Sequence, residues 1–123
     1  MIGSRIWKEI HEGQTILVLD YSNLKEAEMM ELLEVSKDLL VSENVPRLIL
    51  VIFSERGYVT PAFMRKAEKF NKKFGHLIQN QAFIGLSEVK KFILKGFNLF
   101  LGKNFQAFDS KEEAINCLLE KMR

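Results

Sequence analysis

Six apolar residues stand in a row at Leu48-Ile49-Leu50-Val51-Ile52-Phe53, with Pro46-Arg47 before them and Ser54-Glu55-Arg56 after. A run this short with no polar alternation reads as a strand covered on both faces, the position of a strand inside a sheet layered between helices. Thr60-Pro61 then opens a helix. Threonine is a preferred N-cap, and proline suits the first helical position because its missing N–H would be orphaned there in any case. A buried strand followed by a helix is the repeating unit of α/β folds, whose ligands gather where strands end and helices begin. The stretch from Leu48 to Met64 is therefore the first place to expect a site.

The rest of the chain fits the same grammar. Arg5–Ile10 and Thr15–Tyr21 read as two strands joined through His11-Glu12-Gly13-Gln14, an opening hairpin. Ser22-Asn23 with Glu26 forms a capping-box pattern for a helix over Leu24–Leu40, with Glu26, Glu28, Glu31 and Glu34 in its early turns. Pro46 breaks the chain before the third strand. The second helix ends at Gly75 and carries Phe63, Ala67, Phe70 and Phe74 on one stripe. A fourth strand is clearest over Gln81–Ile84. Ser87 caps a third helix ending at Gly102, with Val89, Phe92, Ile93, Gly96, Phe97, Leu99, Phe100 and Leu101 over half its circumference and Leu94 extending the arc. Asn104–Phe108 gives a last strand. Asp109 with Glu112, or Ser110 with Glu113, opens a final helix with Ile115, Leu118, Leu119 and Met122 facing inward.

The expected order is ββαβαβαβα in one domain spanning 1–123. The fold class is α/β: a mixed, mostly parallel five-stranded sheet with an N-terminal hairpin and four helices, because each β-α-β step needs a right-handed crossover. At 123 residues, with 47% hydrophobic and 28% charged side chains, the chain can bury a core without disulfides or metal. No apolar run exceeds six residues, so no membrane span is expected. The first ten residues carry charges where a signal peptide needs its apolar segment, and a lone cysteine, Cys117, fits a reducing compartment; a cytoplasmic location is expected. Charge is unevenly placed. Residues 1–55 hold 5 basic and 10 acidic side chains, and residues 56–123 hold 13 basic and 6 acidic, an asymmetry that steers acidic partners toward the second half.

The strings TILVLDYSNL, LILVIFSERGYVTP, QAFIGLSEVKKFILKGFN and GKNFQAFDSKEEAINCLLE, in this order of elements, resemble the anti-sigma-factor antagonist superfamily, the STAS domains. They look most like its small bacterial branch of stand-alone uncharacterised proteins, often grouped with STAS and the CRAL-TRIO lipid-transfer fold. The resemblance spans most of the chain and implies a STAS-like fold with a signalling role through protein interaction. Superfamily members with a phosphorylation switch carry the reactive serine at the start of the helix after the third strand. Here that turn reads Val59-Thr60-Pro61-Ala62-Phe63, so Thr60 is the one hydroxyl at the turn, and it is placed as an N-cap. The departure puts a phosphorylation switch of that type in doubt.

Three groups of residues are candidates for function. Asp20, Ser54, Glu55, Arg56, Thr60 and Ser87 lie at strand ends and helix starts and could line a small polar ligand or partner site, although the same residue types dominate ordinary turns and caps. Arg65, Lys66, Lys69, Lys72 and Lys73 share one face of the second helix, a basic face for phosphate groups or an acidic protein if it is more than a solvated surface. Leu94, Phe97 and Leu101 are left at the flank of the third helix as a candidate interface, unless the last helix absorbs them. His11 and His76 lack the companions of a metal site, and Cys117 reads as an inert thiol.

No residue set reads as catalytic or metal-binding, and no cofactor is implied. The leading expectation is a non-enzymatic regulatory module of the STAS-like kind that binds another protein or a second copy of itself. The alternative is a small carrier or sensor for a lipid or another apolar or anionic ligand. Nucleic acid is not expected, because no aromatic side chains interleave with the lysines.

Overall fold

Glu12 and Gly13 both have positive φ, 51° and 77°. This is the backbone of a two-residue type I′ turn, whose twist matches that of the strands it joins. The hairpin is consequently tighter than the sequence suggests: β1 (Ile6–His11) and β2 (Gln14–Asp20) pair antiparallel from Ile6 with Leu19 to His11 with Gln14. The computed structural model describes residues 2–56 and 59–123. A 3₁₀ turn (Ile2–Arg5) precedes the hairpin, and α1 (Glu26–Glu43), β3 (Arg47–Ile52), α2 (Pro61–Phe74), β4 (Ile78–Ile84), α3 (Glu88–Leu101), β5 (Gln106–Phe108) and α4 (Lys111–Glu120) follow. A second 3₁₀ turn at Gly75–Leu77 links α2 to β4. The ββαβαβαβα order is as expected.

The five strands lie in chain order, β1-β2-β3-β4-β5, and every pair after the hairpin is parallel. Because the chain always advances toward the same edge, right-handed crossovers place α1, α2 and α3 on one face of the sheet. The other face is left to α4. The core divides accordingly. On the three-helix face, Leu17, Leu19, Ile49 and Val51 pack with Leu32, Leu40, Phe63, Phe70, Leu94 and Phe97. On the opposite face, Ile16, Val18, Leu48, Leu50 and Ala82 pack with Ala114, Ile115, Leu118 and Leu119. Successive residues of β2 and β3 thus enter different cores, which is why their sequences are apolar throughout.

Several boundaries differ from the sequence reading for local reasons. Helix α1 begins at Glu26 behind Lys25, whose N–H donates to Glu28 Oε1 at 3.1 Å, while Asn23 takes a left-handed conformation in the turn before it. The helix also runs past Leu40 to Glu43 and stops at a left-handed Asn44. Of the two N-caps considered for α4, Ser110 is used: its Oγ accepts from Glu113 N–H at 3.2 Å. Met122 lies beyond the end of α4 and is exposed rather than inward. Cys117 is half-buried, and desolvation pushes its thiol pKa up, against reactivity.

Gly85 closes β4 with φ +79°, and a β-carbon there would stand 1.8 Å from Phe53 O. At this point β3 and β4 make a last bond, Phe53 N–H to Ile84 O at 2.9 Å, just before their chains diverge. Gly85→Ala should lower the unfolding free energy by about 2–4 kcal/mol in urea titration, since both the φ and the backbone contact oppose a side chain. A loss below about 1 kcal/mol would contradict this geometry.

Glu9 of β1 ties the hairpin to α4. Its carboxylate accepts from Lys111 Nζ at 2.7 Å and Trp7 Nε1 at 2.8 Å, with His11 Nε2 at 2.9 Å. These bonds, led by that from Lys111, lower its pKa from 4.5 to about 2. A carboxylate with a depressed folded pKa stabilises the fold above its unfolded value, and that contribution fades as pH falls from 4.5 toward about 2. Wild-type protein should therefore lose more stability across this window than Glu9→Gln, measured by denaturant midpoints at each pH. Parallel acid profiles for the two proteins would contradict the network.

Candidate ligand site and the outer face of the third helix

The carboxyl edge of the sheet gathers the polar residues expected there, but most are occupied with their own turns. Asp20 Oδ1 accepts from the N–H and hydroxyl of Ser22, and Oδ2 lies 3.6 Å from Arg5 Nη1. Thr60 Oγ1 accepts from Phe63 N–H at 3.2 Å and Ser87 Oγ from Lys90 N–H at 3.3 Å, so both are the N-caps their sequence positions imply. Ser54 Oγ accepts from Asn23 N–H at 3.2 Å and sits 3.2 Å from Asn23 Oδ1 and 3.3 Å from Arg56 O. Glu55 and Arg56 have exposed side chains. Gly57 and Tyr58, within the stretch from Leu48 to Met64 where a site is first expected, lie outside the described residues.

The residue that sequence reasoning missed is Lys90. It is only 6% exposed, and its ammonium donates to Ser54 O at 2.6 Å and Arg56 O at 3.2 Å. Desolvation lowers its pKa, and the nearby charge of Glu55 partly restores it. Lys90 pins the loop after β3 to α3. The recess it shares with Asn23, Ser54 and Arg56 encloses only about 10 Å³, room for about one water. A small polar substrate does not fit there. The polar cluster is a brace for the carboxyl edge, and it brings Ser54, Arg56 and Lys90 together while leaving Asp20, Thr60 and Ser87 in separate local bonds.

Behind that brace lies a larger space of about 80 Å³ between the sheet and α1, α2 and α3. Its walls are mainly apolar, among them Val51, Phe63, Phe70, Leu94 and Phe97. A row of rings crosses the sheet at its rim: Tyr21 stacks on Phe53 with centroids 5.3 Å apart, Phe53 stacks on Phe83 at 6.5 Å, and Phe83 meets Phe105 at 6.5 Å. Phe63 closes edge-on against Tyr21 at 5.5 Å. The polar groups in the walls have partners. Gln81 donates to Asn71 Oδ1 at 2.8 Å, Ser36 donates to Leu33 O at 2.7 Å, and burial raises the Tyr21 phenol against a hydrogen bond with Ser36. Among the described residues, no buried side-chain polar atom lacks a partner. Lys90 also borders this cavity and is the cation at its rim.

Helix α3 is rotated about its axis relative to its sequence reading. Leu94 and Phe97 are buried against the sheet and Leu101 is half-buried, so the three residues expected as an interface belong to the inner side. Val89, Phe92, Leu99 and Phe100 face outward with 71, 76, 84 and 53% exposure. The cause is Lys90, which occupies the inward register with Leu94, Phe97 and Leu101 and interrupts the apolar pattern that would have revealed the helix phase. Five basic residues of α2, Arg65, Lys66, Lys69, Lys72 and Lys73, are exposed as expected. Lys66 Nζ lies 3.6 Å from Glu34, and Lys72 Nζ sits 4.2 Å from the Phe100 ring centroid, joining the basic face of α2 to the apolar face of α3. Among the described residues, no helix is long and apolar enough to cross a membrane.

No family model matches the sequence, and no curated protein does. In three dimensions the chain is similar to a crystal structure of an uncharacterised protein of the DUF3478 family with a SpoIIAA-like fold, from Shewanella loihica. The TM-score is 0.71 at 19% sequence identity, covering 92% of this chain and 91% of that one. That likeness establishes the architecture: the chain has a SpoIIAA-like fold, the fold of the STAS domains that its strand and turn strings resemble.

Proposed function

We propose that the protein is a non-enzymatic, cytoplasmic STAS-like module that acts by binding, and that its ligand is a small apolar molecule with an acidic end, held between the sheet and α1–α3. The observation that carries this reading is the cavity of about 80 Å³ with aromatic walls and a single cation, Lys90, at its rim. An ammonium has three protons. Two go to Ser54 and Arg56 carbonyls, and the third is the natural donor to a ligand carboxylate. A reaction is disfavoured because Thr60, Ser87 and Asp20 are committed to caps and turns. The same commitment disfavours a phosphorylation switch, since Thr60 Oγ1 accepts from its own helix and Pro61-Ala62 follow it.

A cavity of 80 Å³ is smaller than the roughly 150 Å³ that encloses benzene. Filling it with an acyl chain requires α2 and α3 to part, so binding should be accompanied by separation of these two helices. The test is titration with a medium-chain fatty acid and, in parallel, the matching primary alcohol, read by thermal shift and native mass spectrometry. The acid should raise the melting temperature and give a one-to-one adduct. Lys90→Met should weaken binding of the acid by about tenfold, the worth of one charge-assisted hydrogen bond, with little effect on the alcohol. Absence of both adduct and shift in the wild type would overturn the reading, and equal losses for acid and alcohol would remove Lys90 from it.

A further inference from the structure

We infer that the outer edge of β1 docks a second copy of this chain, the two β1 strands pairing antiparallel about a two-fold axis at Lys8. Strand β1 is the outermost of the sheet. The two-residue turn makes His11 and Gln14 a hydrogen-bonded pair, and bonding alternates from there, so Trp7, Glu9 and His11 turn their N–H and C=O groups toward β2. Those of Ile6, Lys8 and Ile10 point outward, and no turn, loop or cap bond among the described residues reaches them. Such an edge is a template for another strand, and proteins commonly blunt it with a charge, a proline or a bulge. This strand has no proline, its register with β2 runs unbroken, and its lysine is drawn aside to Glu43 of α1. Ile10, by contrast, stands 74% exposed at the open edge.

The order of residues along the strand selects a second copy as the occupant. Ile6 and Ile10 stand two residues to either side of Lys8, and Trp7 and Glu9 one residue to either side. A two-fold axis normal to the sheet, passing between the Lys8 residues of two chains, sets Ile6 opposite Ile10 of the second copy and Trp7 opposite its Glu9. All three outward positions then bond, and Ile10 gains an apolar partner on the three-helix side. The two Lys8 ammoniums approach at the axis, each already paired with its own Glu43. The neighbouring registers are poorer. Centring on Glu9 opposes two carboxylates that stay ionised down to a pH of about 2. Centring on Trp7 sets Ile10 against Ser4, which belongs to a 3₁₀ turn rather than to the strand. Helix α1 joins β2 to β3 and leaves Ile10 uncovered, so the edge is open to approach. The pairing is separate from the cavity and stands whether or not a ligand fills it.

The experiment is sedimentation equilibrium of the full chain from about 1 μM to about 100 μM, a range in which the wild type should dimerise. Ile10→Pro removes an outward donor that the hairpin does not use, a change that edge strands accept, and should weaken the dimer by at least about tenfold. Ile10→Lys, which sets a charge against Ile6 of the second copy, should do the same. Circular dichroism checks that both variants stay folded, and Ile10→Lys decides if Ile10→Pro does not. Phe92→Ser, on the exposed side of α3, should leave the dimer intact. Lys8→Cys in a Cys117→Ser background reads the register: hydrogen-bonded residues opposed across an antiparallel pair have Cα atoms about 5.5 Å apart, within disulfide reach, so mild oxidation should cross-link the dimer. A wild type that stays monomeric would overturn the inference. So would a dimer indifferent to Ile10→Lys, failure of Lys8→Cys to cross-link, or a dimer lost on Phe92→Ser, which would place the contact on α3.

Discussion

The ammonium of Lys90, buried and bonded to the carbonyls of Ser54 and Arg56, ties the loop after β3 to α3 and sets the rotation of that helix. Withdrawing such a charge from water is costly, and it is tolerated only because two backbone acceptors, themselves in need of donors, receive it. Ser87 caps α3 three residues earlier, so start and rotation of the helix are set together. With Lys90 inward, Leu94 and Phe97 must face the sheet. Phe92 and Leu99 must then face out. The cavity, the brace at the carboxyl edge and the exposed apolar stripe are three consequences of one helix phase.

The sheet imposes a second asymmetry. Strands laid down in chain order with right-handed crossovers collect three helices on one face and leave one for the other. The four-residue group Ala114, Ile115, Leu118 and Leu119 packs on aliphatic residues alone: Ile16 and Val18 of β2, Leu48 and Leu50 of β3, and Ala82 of β4. Three helices over the opposite face must span a wider and more aromatic surface, and the rings of Tyr21, Phe53, Phe63 and Phe83 do not fill it completely. The cavity of about 80 Å³ lies among these rings, on the three-helix face. Helix α3 serves this arrangement twice, lining the cavity with its inner residues and presenting Phe92 and Leu99 to the outside.

Most of the fold was legible in local chemistry. The unalternating strands announced a layered sheet, Thr60-Pro61 and Ser87 marked helix starts by hydrogen-bonding logic alone, and the turn around Gly13 marked the hairpin, though as a four-residue connection rather than the two-residue turn that forms. What sequence could not supply was the direction in which α3 faces. Periodicity finds an apolar arc, but α3 is apolar over more than half its circumference, and the one polar residue that decides the phase is a lysine, which by default is assigned to solvent. Its partners are backbone carbonyls of a loop that the sequence does not place nearby. The signal existed in part: Lys90 lies three residues after a capping serine, in register with Leu94, Phe97 and Leu101, and that register was available as an alternative stripe. The start of α1 was hidden for a related reason, because Asp20 and Ser22 bond to each other in the preceding turn and Asn23 Oδ1 accepts from Ser54, which leaves Lys25 to begin the helix. The polar site residues were placed at the correct edge, yet their grouping depended on which hydrogen bonds they had already spent on their own backbones.

The phase of α3 is the claim from which the exposed apolar face and the cavity wall both follow, and it can be measured without any ligand. With Trp7 replaced by phenylalanine, single tryptophans placed at position 92 and at position 97 report the two sides of the helix through acrylamide quenching of their fluorescence. The account predicts a red-emitting, freely quenched probe at 92 and a blue-shifted, protected probe at 97. The reverse pattern, with position 92 protected and 97 open to quencher, would contradict it.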